Sequence, residues 1–335
     1  MTTARRVPVT TDMSGDELDA EDAWRTVRHH GVMRVLRESF LRFRFGDGFS
    51  SSRALALQMA LGLVPFLAAL TGLAGDLDSG EAAEVVVRTV AEVTPGQQAD
   101  QVMAELVDGD LDEDVGEVAL AVGLLVAFAA MVSATAQIER GTNRLYGIRR
   151  DRPALHKYGR AVVLTLVLMV PVGLGFVLLV GGGALGDALT DVYGWSDGQH
   201  LAWDLARWPV GVVTTTFTIA VLLDHVPRRR QPALSWLALG ALVAVVLTMG
   251  STALLAAYVQ LSTSFDAVYG PLAGIFALLL WCYLSAASLF GGTALAAQME
   301  ALRAGMDSPV ADDPELPETV ATEAGATGTG ATATH

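Results

Sequence analysis

The stretch Ala273-Gly-Ile-Phe-Ala-Leu-Leu-Leu-Trp281 lies within a run from Ala267 to Met299 that contains no charged residue. A helix needs about 20 apolar residues to cross the hydrocarbon layer of a membrane, and this run is longer than that. The stretch does not alternate between polar and apolar residues, as the strands of a membrane barrel do. It therefore predicts a membrane-spanning helix.

Five further uncharged runs occur along the chain of 335 residues. Only 17% of the residues are charged and the mean hydropathy is +0.43, whereas a soluble domain carries about 25% charged residues. We therefore predict an all-α polytopic membrane protein whose domain, residues 49–303, is a bundle of six transmembrane helices. The predicted spans cover residues 54–75, 118–138, 161–183, 207–224, 235–258 and 270–298.

The basic residues are concentrated in alternate connections. Under a six-span arrangement, all but two of the 22 lysine and arginine residues fall on one side, and the other side keeps Arg88 and Arg207. Because positively charged loops stay in the cytoplasm, we expect a multi-pass protein of the bacterial inner membrane with both termini in the cytoplasm.

The first outer loop, Asp76–Glu117, is acidic and is predicted to form a small helical cap. Its segment 108–114 is predicted to be a solvated loop rather than a calcium site, since the EF-hand spacing is missing.

The residues before the first span are predicted to lie on the membrane surface. Residues 21–48 alternate apolar residues such as Trp24 with arginines such as Arg42, which is typical of an amphipathic helix in the interface. Anionic lipid headgroups are the expected partner of these arginines, at about 1 kcal/mol per basic residue. Nucleic acid is not expected, because no binding module accompanies the cluster. Residues 1–20 and the acidic tail 304–335 are predicted to be disordered.

Polar residues inside the predicted spans are the candidates for lining a transport pathway. An amide in hydrocarbon needs a hydrogen-bond partner, which makes Gln58 the foremost of them. The alternative for the hydroxyl groups is that they bond to their own helix or hold helices together. No predicted span has an ionisable residue in its interior, which weakens the case for ion-driven transport. The candidate cleft-lining residues are Gln58, Pro65, Thr215, Thr218, Thr248 and Ser251.

The sequence lacks the signatures of the common enzyme classes. None of the six histidines forms a His-x-x-x-His or Glu-x-x-His pair, and there is no Walker loop, nucleophile elbow or dinucleotide fingerprint. We therefore predict no enzymatic activity, no catalytic or metal site and no cofactor.

Three stretches in order resemble the YihY/BrkB family of bacterial inner-membrane proteins, once labelled ribonuclease BN. They are Asn143-Arg-Leu-Tyr-Gly147, then Val226-Pro227, and then the region from Tyr258 through Tyr269-Gly270 to Trp281. The resemblance implies six spans and a link to envelope integrity or lipid export. The sequence departs from the family at Gly292-Thr293-Ala294, where Gly-Ala-Glu is usual. The family-like motif positions are Asn143, Tyr146, Gly147, Pro227, Tyr269, Gly270 and Trp281.

Together these features predict a non-enzymatic membrane protein that moves or organises a lipid or envelope component, with a polar cleft near Gln58. Two alternatives stay open at this point: a structural scaffold without transport, and a membrane-bound hydrolase or ribonuclease. The sequence leaves the substrate, the energy coupling and the oligomeric state undetermined.

Overall fold

A computed structural model of the protein describes residues 5–10, 18–76, 85, 113–261, 273–306 and 308–312. The regular secondary structure of the described residues is helical apart from one short strand pair, which confirms the all-α class. The helices are α1 (Ala20–His30), α2 (Val32–Phe45), α3 (Gly48–Asp76), α4 (Glu113–Leu145), α5 (Ala154–Phe176), α6 (Gly182–Tyr193), α7 (Asp197–His225), α8 (Leu234–Leu261) and α9 (Ala273–Arg303), and a π-helical turn, Val177–Gly181, joins α5 to α6. Strand β1 (Arg5–Arg6) pairs antiparallel with β2 (Ala311–Asp312).

Among the described residues, five helical stretches are long and apolar enough to cross a membrane. They contain predicted spans two to six almost completely. The helix α3, which contains the predicted first span, is not among the five, so the count of six spans stays a prediction. The five stretches are Ala121–Leu145, Ala154–Tyr193, Asp197–His225, Leu234–Val259 and Ala273–Arg303.

Small residues bring neighbouring helices close together. A Cβ atom added at Gly240 of α8 would lie 2.7 Å from the carbonyl oxygen of Gly292 in α9. In the same way, a Cβ at Gly62 of α3 would lie 3.1 Å from the Cβ of Ala130 in α4. Small residues at such contacts are the usual means by which membrane helices pack, since van der Waals contact replaces the hydrophobic effect there.

The connections that carry most of the arginines lie at one end of the bundle, which we call the arginine-rich end. It comprises α1 and α2 with the α4–α5 connection (146–153) and the α7–α8 connection (226–233). A buried core beneath α1 and α2 contains Val27, Trp236 and Met299. The amphipathic N-terminal helices therefore turn part of their apolar surface toward the bundle.

The prediction of one continuous helix over residues 21–48 is corrected to two helices. The chain breaks at Gly31, whose φ of +83° is favourable only for glycine. The apolar residues of α1 and α2 divide between two surroundings: Val35 is buried, whereas Met33 is 79% exposed and Phe40 is 54% exposed.

The structure gives defined positions to parts of both chain ends that are predicted to be disordered. Besides the β1–β2 pair, Leu18 is buried in the core beneath α1. The predicted helical cap, apart from Val85 and the start of α4, lies outside the described residues. So do residues 108–112 of the acidic segment considered for calcium.

Candidate functional site

Asn143 joins the two connections of the arginine-rich end. It is fully buried near the end of α4. Its side-chain Nδ2 donates to the Asp151 carboxylate at 3.1 Å, and its Oδ1 accepts the backbone N–H of Arg228 at 2.9 Å. One amide thus satisfies a donor and an acceptor on two different connections.

The Asp151 carboxylate accepts hydrogen bonds from two cationic side chains. Its carboxylate accepts from Lys157 Nζ at 3.0 Å and from Arg140 Nε at 3.3 Å. Partial burial by itself raises the pKa of this carboxyl, but the hydrogen bonds from Lys157 and Asn143 outweigh that effect and lower it below its usual value.

Arg152 extends the same network to α4 and the α7–α8 connection. Its guanidinium forms an ion pair of 3.1 Å with Glu139 and donates to the carbonyl oxygens of Val226 and Pro227 at 2.8 Å each. The two connections are therefore held together by side-chain to backbone hydrogen bonds around one charged centre.

Tyr146 and Gly147 form the turn that follows α4. Arg229 lies over the ring of buried Tyr146, with its Cζ 4.6 Å from the ring centroid, and pairs with the buried carboxylate of Glu300. Burial raises the pKa of the Tyr146 hydroxyl.

Gly147 has a φ of +79°, and a Cβ there would lie 2.5 Å from the carbonyl oxygen of Pro8. Glycine is required because the N-terminal segment packs directly on its backbone.

Arg42 is fully buried, although the sequence pattern predicts it among the arginines of the membrane surface. Its Nε donates to Gln298 Oε1 at 2.8 Å, and its Nη1 donates to Thr10 Oγ1 at 3.1 Å and to the Leu145 carbonyl at 3.0 Å. A signal for this was present, since Arg42 falls at helical spacing from Val35 and Ser39, which are also buried.

A separate groove opens between α3, α8 and α9 on the side of the bundle. Its volume is about 460 Å³, within the range of small-molecule sites. Its walls are mainly apolar and aromatic side chains with exposed surface, and Arg53, an exposed residue in the second turn of α3, is the charged residue of its lining. The lining includes Arg53, Leu57, Tyr258, Phe276, Leu280 and Tyr283.

Comparison with known proteins identifies the family. Residues 39–314 match the family described as virulence factor BrkB. The chain belongs to the BrkB family. This confirms the resemblance deduced from the three motif stretches, and the BrkB-family chain is a multi-pass membrane protein.

Relatives of this BrkB-family chain are distant. A ribonuclease-like protein of Bacillus subtilis (strain 168), YfkH, is 25% identical over 253 residues, which cover 76% of this chain and 90% of the relative. A UPF0761 membrane protein of Idiomarina loihiensis is 27% identical over 221 residues, 65% of this chain and 72% of that protein. A UPF0761 membrane protein of Xanthomonas axonopodis is 29% identical over 196 residues, 57% of this chain but only 43% of that protein. The chain thus spans less than half of the Xanthomonas relative, and no solved structure matches it.

The predicted cleft residues of the BrkB-family chain do not line the groove. Thr218 and Thr248 donate to carbonyl oxygens of their own helices at 2.7 and 2.9 Å, and Ser251 donates to the Thr248 carbonyl at 3.0 Å. These hydroxyl groups therefore bond to their own helices, which is the alternative to lining a transport pathway. Gln58 and Pro65 are half-buried in α3.

The candidate residue Thr215 and the motif residue Trp281 differ in their hydrogen bonding. The Thr215 hydroxyl is buried in α7 without a hydrogen-bond partner among the described residues. Trp281 of α9 donates from Nε1 to Thr252 Oγ1 of α8 at 3.0 Å, so this motif residue joins two helices. Tyr269 and Gly270 lie outside the described residues.

Proposed function

We propose that this BrkB-family protein binds an anionic lipid in the groove and moves or organises it within the membrane, without enzymatic activity. The observation that carries the proposal is the position of Arg53 as the charged residue of an open groove otherwise lined by apolar and aromatic side chains. Apolar walls suit an acyl chain, and a guanidinium suits a phosphate because it can donate two parallel hydrogen bonds.

The groove surface favours a lipid over a water-soluble ligand. Leu57 and Tyr258 are each 53% exposed, and Phe276 is 44% exposed. In a membrane helix such surface faces acyl chains, so a lipid could enter from the side. The long stem of Arg53 lets its charge reach the headgroup region while its methylenes stay against apolar surface. Its described hydrogen bond, to Ser50 of the same helix, is long at 3.4 Å.

The two N-terminal helices support the same partner. Trp24, Met33 and Phe40 expose apolar surface beside arginines of α1 and α2. Such a surface attracts anionic headgroups, and under the proposed topology it lies at the cytoplasmic leaflet. It would concentrate the lipid near the groove.

A scaffold without transport is the second candidate. Close contacts such as Gly240 with Gly292, together with the hydrogen bonds of Asn143 and Arg152, favour a rigid bundle. We propose neither hydrolase nor ribonuclease activity, although the Bacillus subtilis relative is named as ribonuclease-like. Of the described residues that line the groove, none carries a carboxylate or an imidazole for acid–base or metal chemistry.

Lipid binding to the purified full-length protein tests the proposal. We expect fluorescent phosphatidylglycerol to bind more tightly than phosphatidylcholine, and Arg53→Gln to weaken phosphatidylglycerol binding roughly tenfold, as expected for loss of a charge-assisted hydrogen bond. Arg230→Gln, which removes an exposed arginine of the α7–α8 connection, outside the groove lining and the N-terminal helices, is the matched control and should change the affinity little. Equal affinity of the wild type and Arg53→Gln would overturn the assignment of the groove.

Reconstitution in liposomes distinguishes a protein that moves the lipid between leaflets from one that binds and organises the lipid without moving it. If the protein moves the lipid, it exchanges labelled phosphatidylglycerol between leaflets faster than empty vesicles do, and Arg53→Gln slows the exchange. Binding without exchange supports the scaffold.

A further inference from the structure

The groove is lined by one face of α9 and one face of α3. The lining residues of each helix recur at helical spacing, so each set forms a stripe along its helix. The stripe of α9 comprises Phe276, Leu279, Leu280 and Tyr283, and that of α3 comprises Arg53, Ala56 and Leu57. Tyr258 of α8 completes the lining. The groove is therefore an elongated slot that follows the direction of the helices.

Arg53 and the aromatic residues Tyr258 and Phe276 lie toward opposite ends of this slot. Helix α3 begins at the arginine-rich end, and Arg53 lies in its second turn. Helix α8 begins at the same end and α9 ends there, so the last turn of α8 and the first turn of α9 lie at the other end of the bundle. Tyr258 belongs to that last turn and Phe276 to that first turn. One end of the slot is therefore charged and the other is aromatic.

The slot is about as long as one membrane leaflet is deep. A Cβ added at Gly141 of α4 would meet the ring of Phe290 and would lie 3.1 Å from the Cβ of Ser51. Phe290 of α9 is therefore level with Ser51, which precedes Arg53 by less than one turn. Since a helix rises about 1.5 Å per residue, Phe276 lies roughly 15–20 Å from Arg53 along the bundle. Half of a hydrocarbon core of about 30 Å is about 15 Å.

This arrangement favours one orientation of a bound lipid over the other. With the phosphate at Arg53, the acyl chain extends over Leu57 and Leu280 toward Phe276, against apolar surface throughout. The reverse orientation would place the phosphate beside Phe276 and Tyr258, where no residue of the described lining carries a positive charge. A phosphate removed from water without a cation or donor is costly, so the headgroup belongs at the arginine-rich end.

We propose that the groove takes its lipid from the leaflet at the arginine-rich end, with the phosphate at Arg53 and the end of one acyl chain against Phe276 and Tyr258. This inference rests on the proposed lipid function and adds the leaflet, the orientation and the selection of chain length. Phe276 is then a specificity-determining residue, because its ring occupies the part of the slot that the last methylenes reach. Under the proposed topology, this leaflet is the cytoplasmic one.

Photocrosslinking of the full-length protein in phosphatidylcholine vesicles tests the orientation. One phosphatidylglycerol probe carries a diazirine at the end of an acyl chain, and a second carries it beside the ester. We expect the first to label residues near Phe276 and Tyr258 and the second to label residues near Leu57, as located by mass spectrometry. The reverse order, or the same residues for both probes, overturns the inference while lipid binding stands. If unlabelled phosphatidylglycerol competes with neither probe, the lipid function itself fails, and this inference with it.

Variants of Phe276 test the selection of chain length. Phe276→Ala lengthens the slot and should shift the preference toward longer acyl chains, whereas Phe276→Trp should shift it toward shorter ones. The ratio of the Kd values for a long-chain and a short-chain phosphatidylglycerol should change by at most about fourfold for each methylene that gains contact. Phe217→Ala is the matched control, because Phe217 is an exposed phenylalanine of α7 outside the groove lining. An unchanged ratio in both Phe276 variants, or an equal shift in Phe217→Ala, contradicts the role of Phe276.

Discussion

At the residue scale, Gly147 shows how one backbone position connects the chain ends to the bundle. Its positive φ and its contact with Pro8 both exclude a side chain. We expect Gly147→Ala to lower the unfolding free energy by about 1 kcal/mol or more and to loosen the N-terminal segment. Gly159→Ala is the control, because Gly159 lies within α5 with no atom near an added Cβ, and there alanine should be neutral or stabilising. Equal midpoints of thermal unfolding for the two variants would contradict this account.

The buried pair of Arg229 and Glu300 predicts strong non-additivity. Glu300→Gln removes the carboxylate that pairs with the buried Arg229 guanidinium and should cost about 3–5 kcal/mol. Replacing both residues by methionine should cost less than the sum of the two single methionine replacements, because both charges of this ion pair are then removed together. A double-mutant cycle on the unfolding free energy measures this coupling. Additive effects would show that the pair does not act as a unit.

Asp151 predicts a pH dependence of stability. Because its folded pKa lies below its usual value of 3.8, its contribution is present above the unfolded pKa of about 3.9 and is lost as the pH falls through the folded pKa. Asp151→Asn should therefore lower Tm at pH 7, and the difference from the wild type should shrink below about pH 4. A Tm difference that stays constant between pH 7 and pH 3 would show that the carboxylate charge is not the cause.

At the element scale, the contact between α8 and α9 depends on paired glycines. Gly292→Val would place methyl groups against the backbone of Gly240 and the Cβ of Ala244, which is only 2.8 Å from an added Cβ. Overpacking of this kind costs about 1–3 kcal/mol. Gly250→Val, at a position of α8 where no atom lies near an added Cβ, should be tolerated. Unfolding midpoints in the same detergent compare the two variants.

The sequence predicts these elements well but not their ends. Uncharged runs locate the helices because lipid excludes unpaired charge over the length of a span. The predicted second span stops before Glu139, yet α4 continues to Leu145 because Glu139 pairs with Arg152. Likewise α9 runs past Glu300 because Arg229 neutralises it. Such pairs join residues far apart in sequence, so a reading along the chain does not detect them.

The candidate sites were predictable only in part. The motif stretches point to Asn143, Tyr146 and Pro227, which the structure brings into one network. Arg42 was assigned to the membrane surface, because an arginine on an amphipathic helix looks the same whether lipid or Thr10 and Gln298 lie opposite it. Arg53 lies just before the first uncharged run, and its groove depends on α8 and α9, which are about 200 residues later in the sequence.

At the scale of the whole molecule, the distribution of arginines predicts both termini on the cytoplasmic side. A reporter enzyme that is active only outside the cytoplasm should be inactive when fused after His335. The same reporter inserted at Gly194, between α6 and α7, should be active because that connection lies outside under six spans. Activity in the opposite pattern would contradict the proposed topology.

The pairing of β1 with β2 also determines when the N-terminal segment can reach its final position during translation. Arg5 and Arg6 leave the ribosome about 300 residues before their partners Ala311 and Asp312. At about 5–20 residues per second, that delay is roughly 15–60 s. During this interval β1 has no strand to pair with, so the β1–β2 pair can form only after α9 and the residues that follow it have been translated.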